Sequence, residues 1–432
     1  MLQQYTIFFD FLRFCIGSDS EIPSSLKEVD WKEQYAIAKK QCLVGVLFDG
    51  IKKLSAEHVG MKKELLLQWM AESQMLEKTN VRLNDAAIQV SEWFRKKGFR
   101  TCVLKGQGNA LMYPNPYSRT PGDIDIWVDG GDKRVISFVR SISPHEKACY
   151  HHIEFPSYKG VEVEVHYRPS FLLCFWHNRK LQKYYERVKE EQFSHRVMLG
   201  AKGEIVIPTA EFNLIFQLTH IFSHLMNEGI GLRQLLDYFF LLKNTDLGGN
   251  TDGDGFLLNT DFTDDTDKVS GNAESGGSLV NTDFTDDTDK FSGNMDGDGF
   301  LLNTNYTDNT NRIGGNADGV DRRLLQDELR ELGLWKFAGG IMYIMQEVFG
   351  MPAYRLIVPP HEKYGKFVLN EVLEAGNFGK HDARNRFGRS QFGHNLQRVY
   401  RDIRLVRYFP TEALSEPIFR IWHFFWRCYQ KM

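Results

Sequence analysis

The sequence lacks the features that mark secreted, membrane-spanning and strongly charged proteins. Its six cysteines in 432 residues show neither CxxC spacing nor a framework pattern, which indicates reduced thiols in the cytosol. No apolar run reaches the length of a membrane span, and no basic segment followed by a long apolar core opens the chain. The formal net charge of −3 gives no overall attraction to nucleic acid. These absences favour a cytoplasmic protein without stable membrane insertion.

The composition is that of a globular protein with a large core, because 42% of the residues are hydrophobic and 13% are aromatic. Apolar residues at helical spacing predict helices over residues 62–98, 173–195, 208–243, 322–349, 364–376, 395–408 and about 417–430. The predicted units are a helical region (1–98), a region with strands (99–200), a helical region (201–248), a repeat insert (249–320) and a C-terminal helical region (321–432). The fold class that follows is α+β.

Two carboxylates stand one residue apart in a run, residues 119–128, that otherwise predicts a buried strand. Successive side chains of a strand point to opposite faces, so Asp123 and Asp125 share one face while Ile124 and Ile126 share the other. Two like charges that lose hydration side by side are costly, and a cation is the usual remedy. Mg²⁺ suits the pair because it takes one or two protein carboxylates and fills its other positions with water and phosphate.

The segment before the aspartates predicts a phosphate-binding turn. Residues 100–104 are typical of a short strand that ends in Lys105 and Gly106, and residues 107–113 follow as a helical turn. A strand that ends in glycine at a helix start exposes backbone N–H groups and the positive end of the helix dipole, which together receive phosphate. Lys105 would add a point charge beside them.

Residues 161–168 alternate apolar and polar side chains strictly, which places Glu162, Glu164, His166 and Arg168 on one face of a strand. Taken alone, the pattern is that of a half-exposed strand with a solvated acidic face. Beside the two aspartates it also predicts a third carboxylate ligand, since three carboxylates can hold two metal ions roughly 3.5–4 Å apart for in-line phosphoryl or nucleotidyl transfer.

These motifs resemble the bacterial nucleotidyltransferases of the DNA-polymerase-β-like superfamily, and more closely a group described only as uncharacterised nucleotidyltransferases. The residues that carry the resemblance are Leu104-Lys105-Gly106, Tyr113-Pro114, Arg119, Gly122-Asp123-Ile-Asp125 and Glu164-Val-His166-Tyr. Helical residues 220–237 and 334–338 extend it, so that it covers about residues 100–240 and resumes near 322. The superfamily usually has Gly-Ser at the phosphate-binding turn, whereas no serine directly follows Lys105-Gly106 here.

The resemblance implies a small mixed nucleotidyltransferase-type sheet flanked by helices, in which Asp123, Asp125 and a third acid bind catalytic Mg²⁺ or Mn²⁺. We place the third role on Glu164, because Glu-Val-His-Tyr matches the acidic-apolar-His-aromatic pattern of the family, with Glu162 as the substitute. Lys105 and Gly106 would hold the triphosphate, and Arg119 would neutralise phosphate charge or anchor the loop. The expected reaction moves a nucleoside monophosphate from a nucleoside triphosphate such as ATP to a hydroxyl acceptor, with release of pyrophosphate.

Two other functions fit the same residues. A non-catalytic nucleotide-sensing or interaction protein could retain the fold, and a metal-dependent phosphohydrolase would release orthophosphate without an acceptor. The sequence chooses neither the base of the nucleotide nor the acceptor, which could be a sugar, a lipid-linked glycan, a protein hydroxyl or an RNA end. It also leaves the oligomeric state open.

The predicted insert contains a tandem repeat. A unit of 22 residues occurs three times, beginning at Gly255, Gly277 and Gly299. Abundant Asn, Asp, Thr and Gly with few core-forming residues predict disorder or a loose surface loop. Residues 250–255 and 294–299 resemble the first half of a calcium loop, but Asp261 and Asn305 stand where that pattern needs a bidentate Glu. An acidic, solvated loop is therefore favoured over a calcium site.

Two pairs at helical spacing allow two interpretations each. His220 and His224 have the spacing of a zinc pair, but the glutamate of that motif is absent, and apolar neighbours favour histidines in a core or beside a site. Arg233 and Asp237 are four residues apart, which predicts a helix salt bridge or a supporting role near the nucleotide.

Three further segments also have alternatives. His151 and His152 precede a strand and face either the cleft or solvent. Residues 376–389 are basic with interleaved aromatics, which fits the binding of a phosphate or an anionic acceptor and equally fits a solvated loop. Residues 418–427 form a basic, aromatic helix that could lie on a membrane surface, although burial against the helical domain is favoured.

Overall fold

The structure is a computed structural model, and it describes residues 5–55, 60–200, 203–248, 319–382, 384 and 391–430. These residues belong to one unit, which is formed by Met1–Gly253 and Ile313–Met432. The repeats of the insert, with both calcium-like segments, lie outside the described residues. The predicted boundaries at residues 98, 200, 248 and 320 stay predictions.

Helices account for most of the described chain. In chain order they are α1 (Thr6–Ile16), α2 (Trp31–Gln41), α3 (Val44–Ile51), α4 (Lys63–Lys96), α5 (Gln107–Ala110), α6 (Gly131–Ile142), α7 (Phe175–Gln192), α8 (Ala210–Asn227), α9 (Leu232–Asn244), α10 (Arg322–Glu331), α11 (Trp335–Glu347), α12 (Glu362–Ala375), α13 (Gln391–Leu405) and α14 (Pro410–Gln430). The strands are β1 (Thr101–Val103), β2 (Ile124–Val128), β3 (His152–Tyr158), β4 (Val161–His166), β5 (Arg196–Met198) and β6 (Glu204–Val206). Among the described residues, every helix is too short or too polar to cross a membrane.

Strands β1 to β4 form a mixed sheet in the order β1-β2-β4-β3. β2 and β4 run parallel, whereas β1 pairs antiparallel with β2 and β3 pairs antiparallel with β4. In the parallel pair, Asp125 lies opposite Glu164. β5 and β6 form a separate two-stranded ribbon. The predicted α+β class, with a small mixed sheet among helices, is confirmed.

The two faces of β2 have different surroundings. Ile124 and Ile126 are fully buried in one core with Phe94 of α4. On the opposite face, Trp127 packs against Phe212 of α8, with ring centroids 5.8 Å apart. Because side chains alternate along a strand, Asp123 and Asp125 lie on the face of Trp127. The apolar half of the strand thus fixes the sheet to α4 while the acidic half is left toward α8.

Most predicted helices are present in the structure, but several of them begin, end or break at residues that the sequence did not predict. α7, α12 and α13 begin and end within four residues of their predicted limits. The predicted helix over residues 208–243 is divided into α8 and α9 near Gly229, whose φ of +115° favours glycine. The predicted helix over residues 322–349 is divided into α10 and α11 at Gly333, whose φ is +70°. The last helix, α14, begins at Pro410 rather than near residue 417.

Candidate active site

Two strands bring three carboxylates together on one face of the sheet. Asp123 directly precedes β2, Asp125 lies within β2, and Glu164 lies within β4. The parallel register sets Asp125 opposite Glu164, so the two side chains share a face. One carboxylate oxygen of each residue lies within 4.8 Å of the other two. The structure therefore gathers the three residues that the sequence predicted as metal ligands.

The three carboxylates differ in how much positive charge lies near each of them. The neighbouring charge of Asp125, together with burial, raises the pKa of Asp123 to about 6. Burial also opposes the ionised form of Asp125, yet Lys105 and His166 hold the pKa of Asp125 below its ordinary value. Salt bridges of the described residues reach Asp125 and Glu164 but not Asp123. Asp123 is thus the acid that gains most from an added cation.

Lys105 is the ammonium group beside Asp125. Its Nζ lies 2.9 Å from Asp125 Oδ2 and 3.1 Å from His220 Nε2. Because an ammonium group only donates, His220 accepts this hydrogen bond and is neutral, and burial lowers the pKa of His220 accordingly. Burial disfavours the charged form of Lys105, but the nearby carboxylates raise its pKa. His220 supports Lys105, while His224 pairs with Glu228 at 3.3 Å, so the described residues give the two histidines no common zinc site.

His166 joins two of the carboxylates from the end of β4. Its Nε2 donates to Asp125 Oδ1 at 3.0 Å and lies 3.5 Å from Glu164 Oε2. Its Nδ1 faces the carbonyl oxygen of Arg168 at 3.3 Å. Both ring nitrogens face acceptors, so the ring is an imidazolium. Burial opposes that charge, but hydrogen bonds to Asp125 and Glu164 raise the pKa of His166 to about 9. The alternation of β4 placed His166 beside Glu164 but did not reveal this role.

His151 and His152 border the site rather than solvent. Nδ1 of His152 lies 3.3 Å from Glu164 Oε2 and 3.0 Å from Nε2 of His151. Burial and neighbouring positive charges lower the pKa of both histidines, that of His152 to about 4. His152, Glu164 and His166 offer ligand atoms within 4.8 Å of one another. The neutral imidazole ring of His152 therefore lies next to Glu164.

Arg119 is engaged in a buried ion pair. Its Nε and Nη2 each donate to a carboxylate oxygen of Asp237 at 2.8 Å, and the Tyr113 hydroxyl donates to the same carboxylate at 2.7 Å. Arg119 and Asp237 are 4% and 5% exposed. Of the two roles predicted for Arg119, this geometry matches the anchoring of the loop. The predicted helix salt bridge between Arg233 and Asp237 is wrong, because Arg119 takes both oxygens of Asp237.

Arg233 borders the cleft with a guanidinium that is only partly satisfied. Its Nη1 donates to the carbonyl oxygen of Thr120 at 3.1 Å, and its Nε is buried without a hydrogen-bond partner among the residues that the structure describes. Burial and the charge of Arg119 lower the pKa of Arg233. A buried donor without an acceptor is costly, and an anion that reached this nitrogen would remove that cost. The predicted supporting role of Arg233 near the nucleotide fits this geometry.

The predicted phosphate-binding turn lies at the same cleft. Lys105 and Gly106 separate β1 from α5, and the φ of +58° at Gly106 favours glycine. Both residues border a cavity of about 40 Å³ that Arg233, Asp123 and Asp125 also line. The turn, the arginine and the two aspartates therefore share one small cleft.

The donor set of the site fits a hard divalent cation. Asp123, Asp125 and Glu164 offer carboxylate oxygens, which Mg²⁺ and Mn²⁺ prefer as ligands. The raised pKa of Asp123 indicates that the group of carboxylates lacks positive charge at neutral pH. An ion held by these three residues would supply that charge.

A mixed sheet that sets two aspartates and a glutamate beside a lysine is the arrangement expected of a nucleotidyltransferase core. The family model described as uncharacterised nucleotidyltransferase matches residues 27–256, and the chain belongs to this family. An antigenic nucleotidyltransferase-like protein from Paracoccidioides brasiliensis, a solved structure, is 15% identical over 38% of this chain and 78% of that chain, with a TM-score of 0.25. No curated protein matches the chain.

Proposed function

We propose that this chain is a metal-dependent nucleotidyltransferase that moves a nucleoside monophosphate from a nucleoside triphosphate to a hydroxyl acceptor and releases pyrophosphate. The observation that carries the proposal is the register of β2 with β4, which gathers one oxygen each of Asp123, Asp125 and Glu164 within 4.8 Å. Membership of a nucleotidyltransferase family supports the same class of reaction.

Asp123, Asp125 and Glu164 would hold Mg²⁺ or Mn²⁺, which when bound supplies charge neutralisation and orientation for the phosphates. His166 orients two of these acids, since its Nε2 faces both Asp125 and Glu164. The carbonyl oxygen of Arg168 holds the other nitrogen of the ring. The carboxylates are therefore oriented before substrate binds, which lowers the cost of reorganisation during the reaction.

Lys105 and Arg233 are the cations that would receive the triphosphate. Both border the cleft, and the described part of the chain offers the Nε of Arg233 no hydrogen-bond partner. The cavity of about 40 Å³ is much smaller than ordinary ligand pockets, which span roughly 300–1,000 Å³. Side chains must therefore move when a nucleotide enters. We expect Lys105 to leave Asp125, because a phosphate offers the ammonium group an equivalent charged partner.

We expect the carboxylate of Glu164 to accept the proton of the acceptor hydroxyl. Its side chain is 34% exposed, whereas that of Asp125 is 3% exposed, so an acceptor can approach Glu164 from solvent. The hydroxyl oxygen then bonds to the α-phosphorus, and the bond from the α-phosphorus to the bridging oxygen breaks. Pyrophosphate leaves with that electron pair, and the positioning of both reactants supplies much of the rate enhancement.

The test is the transfer of label from a nucleoside triphosphate. The chain is incubated with host-lysate fractions and nucleotides labelled at the α- or the γ-phosphate, in Mg²⁺ or in Mn²⁺. We expect an adduct that keeps the α label and lacks the γ label, together with pyrophosphate, and both products should vanish in Asp125→Asn. Glu162→Gln is the matched control for Glu164→Gln, because Glu162 lies two residues away on β4 and is exposed.

The other outcomes separate the alternatives. Isothermal binding of the Mg²⁺–nucleotide complex without transfer to any fraction would favour the nucleotide-sensing protein. Release of orthophosphate without an acceptor would favour the phosphohydrolase. Loss of transfer in Glu162→Gln but not in Glu164→Gln would move the third acidic role to Glu162.

A further inference from the structure

The outer face of α14 is apolar, which reverses the usual pattern of a surface helix. Leu414, Ile418, Ile421, Phe425 and Tyr429 recur at three- and four-residue spacing, and each is 62–71% exposed. We name these five residues the outer stripe. The burial that the sequence favoured for residues 418–427 thus applies only to the opposite face of the helix.

The inward face of α14 holds this orientation in place. Glu412 accepts hydrogen bonds from the backbone N–H groups of residues 173 and 174 at 2.7 and 2.9 Å, and lies 3.0 Å from His177 Nδ1. Glu416 pairs with Arg420, and both glutamates are 4% exposed. A rotation that buried the outer stripe would strip these carboxylates of their partners, which is strongly unfavourable. The stripe therefore faces outward because the acids face inward.

The start of α7 adds to the apolar surface beside the stripe. Phe175 and Trp176 are 66% and 69% exposed. Together with Ile418 and Trp422 they line a cavity of about 870 Å³ between α7 and α14. Exposed apolar surface of this extent marks contact with a membrane or another protein.

Positive charge accompanies this surface. Residues 391–430 contain six arginines against three acidic residues, a net of +3, although the whole chain carries −3. The acidic residues Asp402, Glu412 and Glu416 are buried or half-buried. Arg398 of α13 and Arg427 of α14 are exposed, and so is Arg407, which lies between these two helices. Arg179 and Lys183 of α7 line the cavity as well, together with one acidic residue, Glu186. The charge that this region offers to a partner is therefore basic.

We propose that the outer stripe of α14, with Phe175 and Trp176, docks onto the surface of a lipid bilayer that contains anionic lipids. An apolar and aromatic surface with Arg179 and Lys183 beside it is suited to the interface, where rings and aliphatic groups enter the headgroup–acyl boundary and the cationic groups meet phosphates. The cavity between α7 and α14 can take part of an acyl chain from that bilayer. The proposal does not depend on the proposed reaction.

The charge favours a bilayer over a second copy of the chain. Two identical basic faces repel each other when they approach, whereas anionic lipids attract the same arginines. A second copy is therefore the alternative that the experiment must separate.

Co-sedimentation of the full chain with vesicles, in the absence of nucleotide, tests the proposal. We expect binding to vesicles of equal parts phosphatidylcholine and phosphatidylglycerol, weaker binding to phosphatidylcholine alone, and a loss of binding as salt is added. The double variant Ile418→Ser with Phe425→Ser should bind the mixed vesicles at least about tenfold more weakly. The matched control is Met75→Ser with Tyr354→Ser, because these side chains are 62% and 69% exposed on other elements.

Three results would overturn the proposal. The first is equal binding by the control and the Ile418/Phe425 double variant, and the second is no binding of the wild type to either vesicle. The third is a wild-type dimer in light scattering that the double variant loses, without vesicle binding, which would assign the stripe to a second copy. Quenching of tryptophan fluorescence by brominated lipid in the wild-type chain keeps the test valid if the double variant fails to fold. Label transfer is measured in a separate assay. A loss of vesicle binding with normal label transfer would refute membrane docking alone, and a loss of label transfer with normal vesicle binding would refute the proposed reaction alone.

Discussion

His166 donates a hydrogen bond from Nε2 to Oδ1 of Asp125 at 3.0 Å, so the positive charge of its imidazolium ring lies on the acidic face of the sheet. On the other side of the same carboxylate, Lys105 Nζ lies 2.9 Å from Oδ2. Asp125 thus has a positive partner on each carboxylate oxygen. Asp123, two residues earlier on the same face, has no positive partner within salt-bridge distance among the described residues. Variants at His166 and Asp123 test this unequal distribution of charge.

The first prediction concerns the stability that His166 contributes at different pH. The pKa of His166 is raised to about 9 from the ordinary value of about 6.5. Its contribution is therefore fully present below pH 6.5 and is lost as the pH rises through 9. We expect the difference in unfolding free energy between the wild type and His166→Gln to shrink by about 3 kcal/mol across that window. Urea unfolding at several pH values measures it, with the exposed His145→Gln as control.

The second prediction is that Asp123→Asn stabilises the metal-free protein while abolishing transfer. The pKa of Asp123 is raised to about 6, so the stability linked to its proton is present at acidic pH and is lost as the pH rises through 6. Removal of the charge should add about 1–3 kcal/mol to the free energy of unfolding at neutral pH. Mg²⁺ should raise the melting temperature of the wild type but not of the variant. A destabilised Asp123→Asn protein in chelator would contradict this account of the charge.

Much of the acidic site could be predicted from the sequence, because it depends on local periodicity. The alternation along β2 and β4 placed Asp123 with Asp125 and Glu164 with His166 without any knowledge of tertiary structure. The mixed sheet and the family resemblance of these segments are confirmed. The site roles of the residues stay predictions until the variants are measured.

Contacts across long separations could not be predicted in the same way. Asp237 pairs with Arg119, 118 residues away, whereas the sequence favoured Arg233, four residues away on the same helix. Spacing along a helix identifies neighbours on that helix only. The outward face of α14 is a similar case, because its amphipathic pattern does not state which face the rest of the chain covers. That choice depends on partners for Glu412, which come from residues 173, 174 and 177.

The third prediction concerns the buried pair of Arg119 and Asp237. Arg119→Met leaves a buried carboxylate with only the Tyr113 hydroxyl as a donor, so we expect a loss of about 3–5 kcal/mol in unfolding free energy. The double variant Arg119→Met with Asp237→Leu should recover much of that loss, because no charge is left without a partner. Chemical denaturation of the wild type, the single variant and the double variant measures this recovery of unfolding free energy. Arg100→Met, which breaks the more exposed pairs of Arg100 with Asp129 and Glu190, is the control and should cost far less. Equal losses in the single and double variants would contradict the ion pair as the cause.

The fourth prediction separates the two arginines of the cleft. Arg233 has a hydrogen bond to Thr120, an unpaired Nε and a repulsive neighbour in Arg119, so Arg233→Gln should leave the stability nearly unchanged. The same change should weaken binding of the Mg²⁺–nucleotide complex roughly tenfold to hundredfold, the range expected for the loss of a charge-assisted hydrogen bond. Calorimetric titration and thermal unfolding of Arg233→Gln and Arg119→Gln give both quantities for each variant. Arg119→Gln is expected to show the reverse profile, with a large loss of stability, because its guanidinium already serves Asp237. Unchanged nucleotide affinity in a folded Arg233→Gln protein would remove Arg233 from the triphosphate site and leave Lys105 as the cation that receives it.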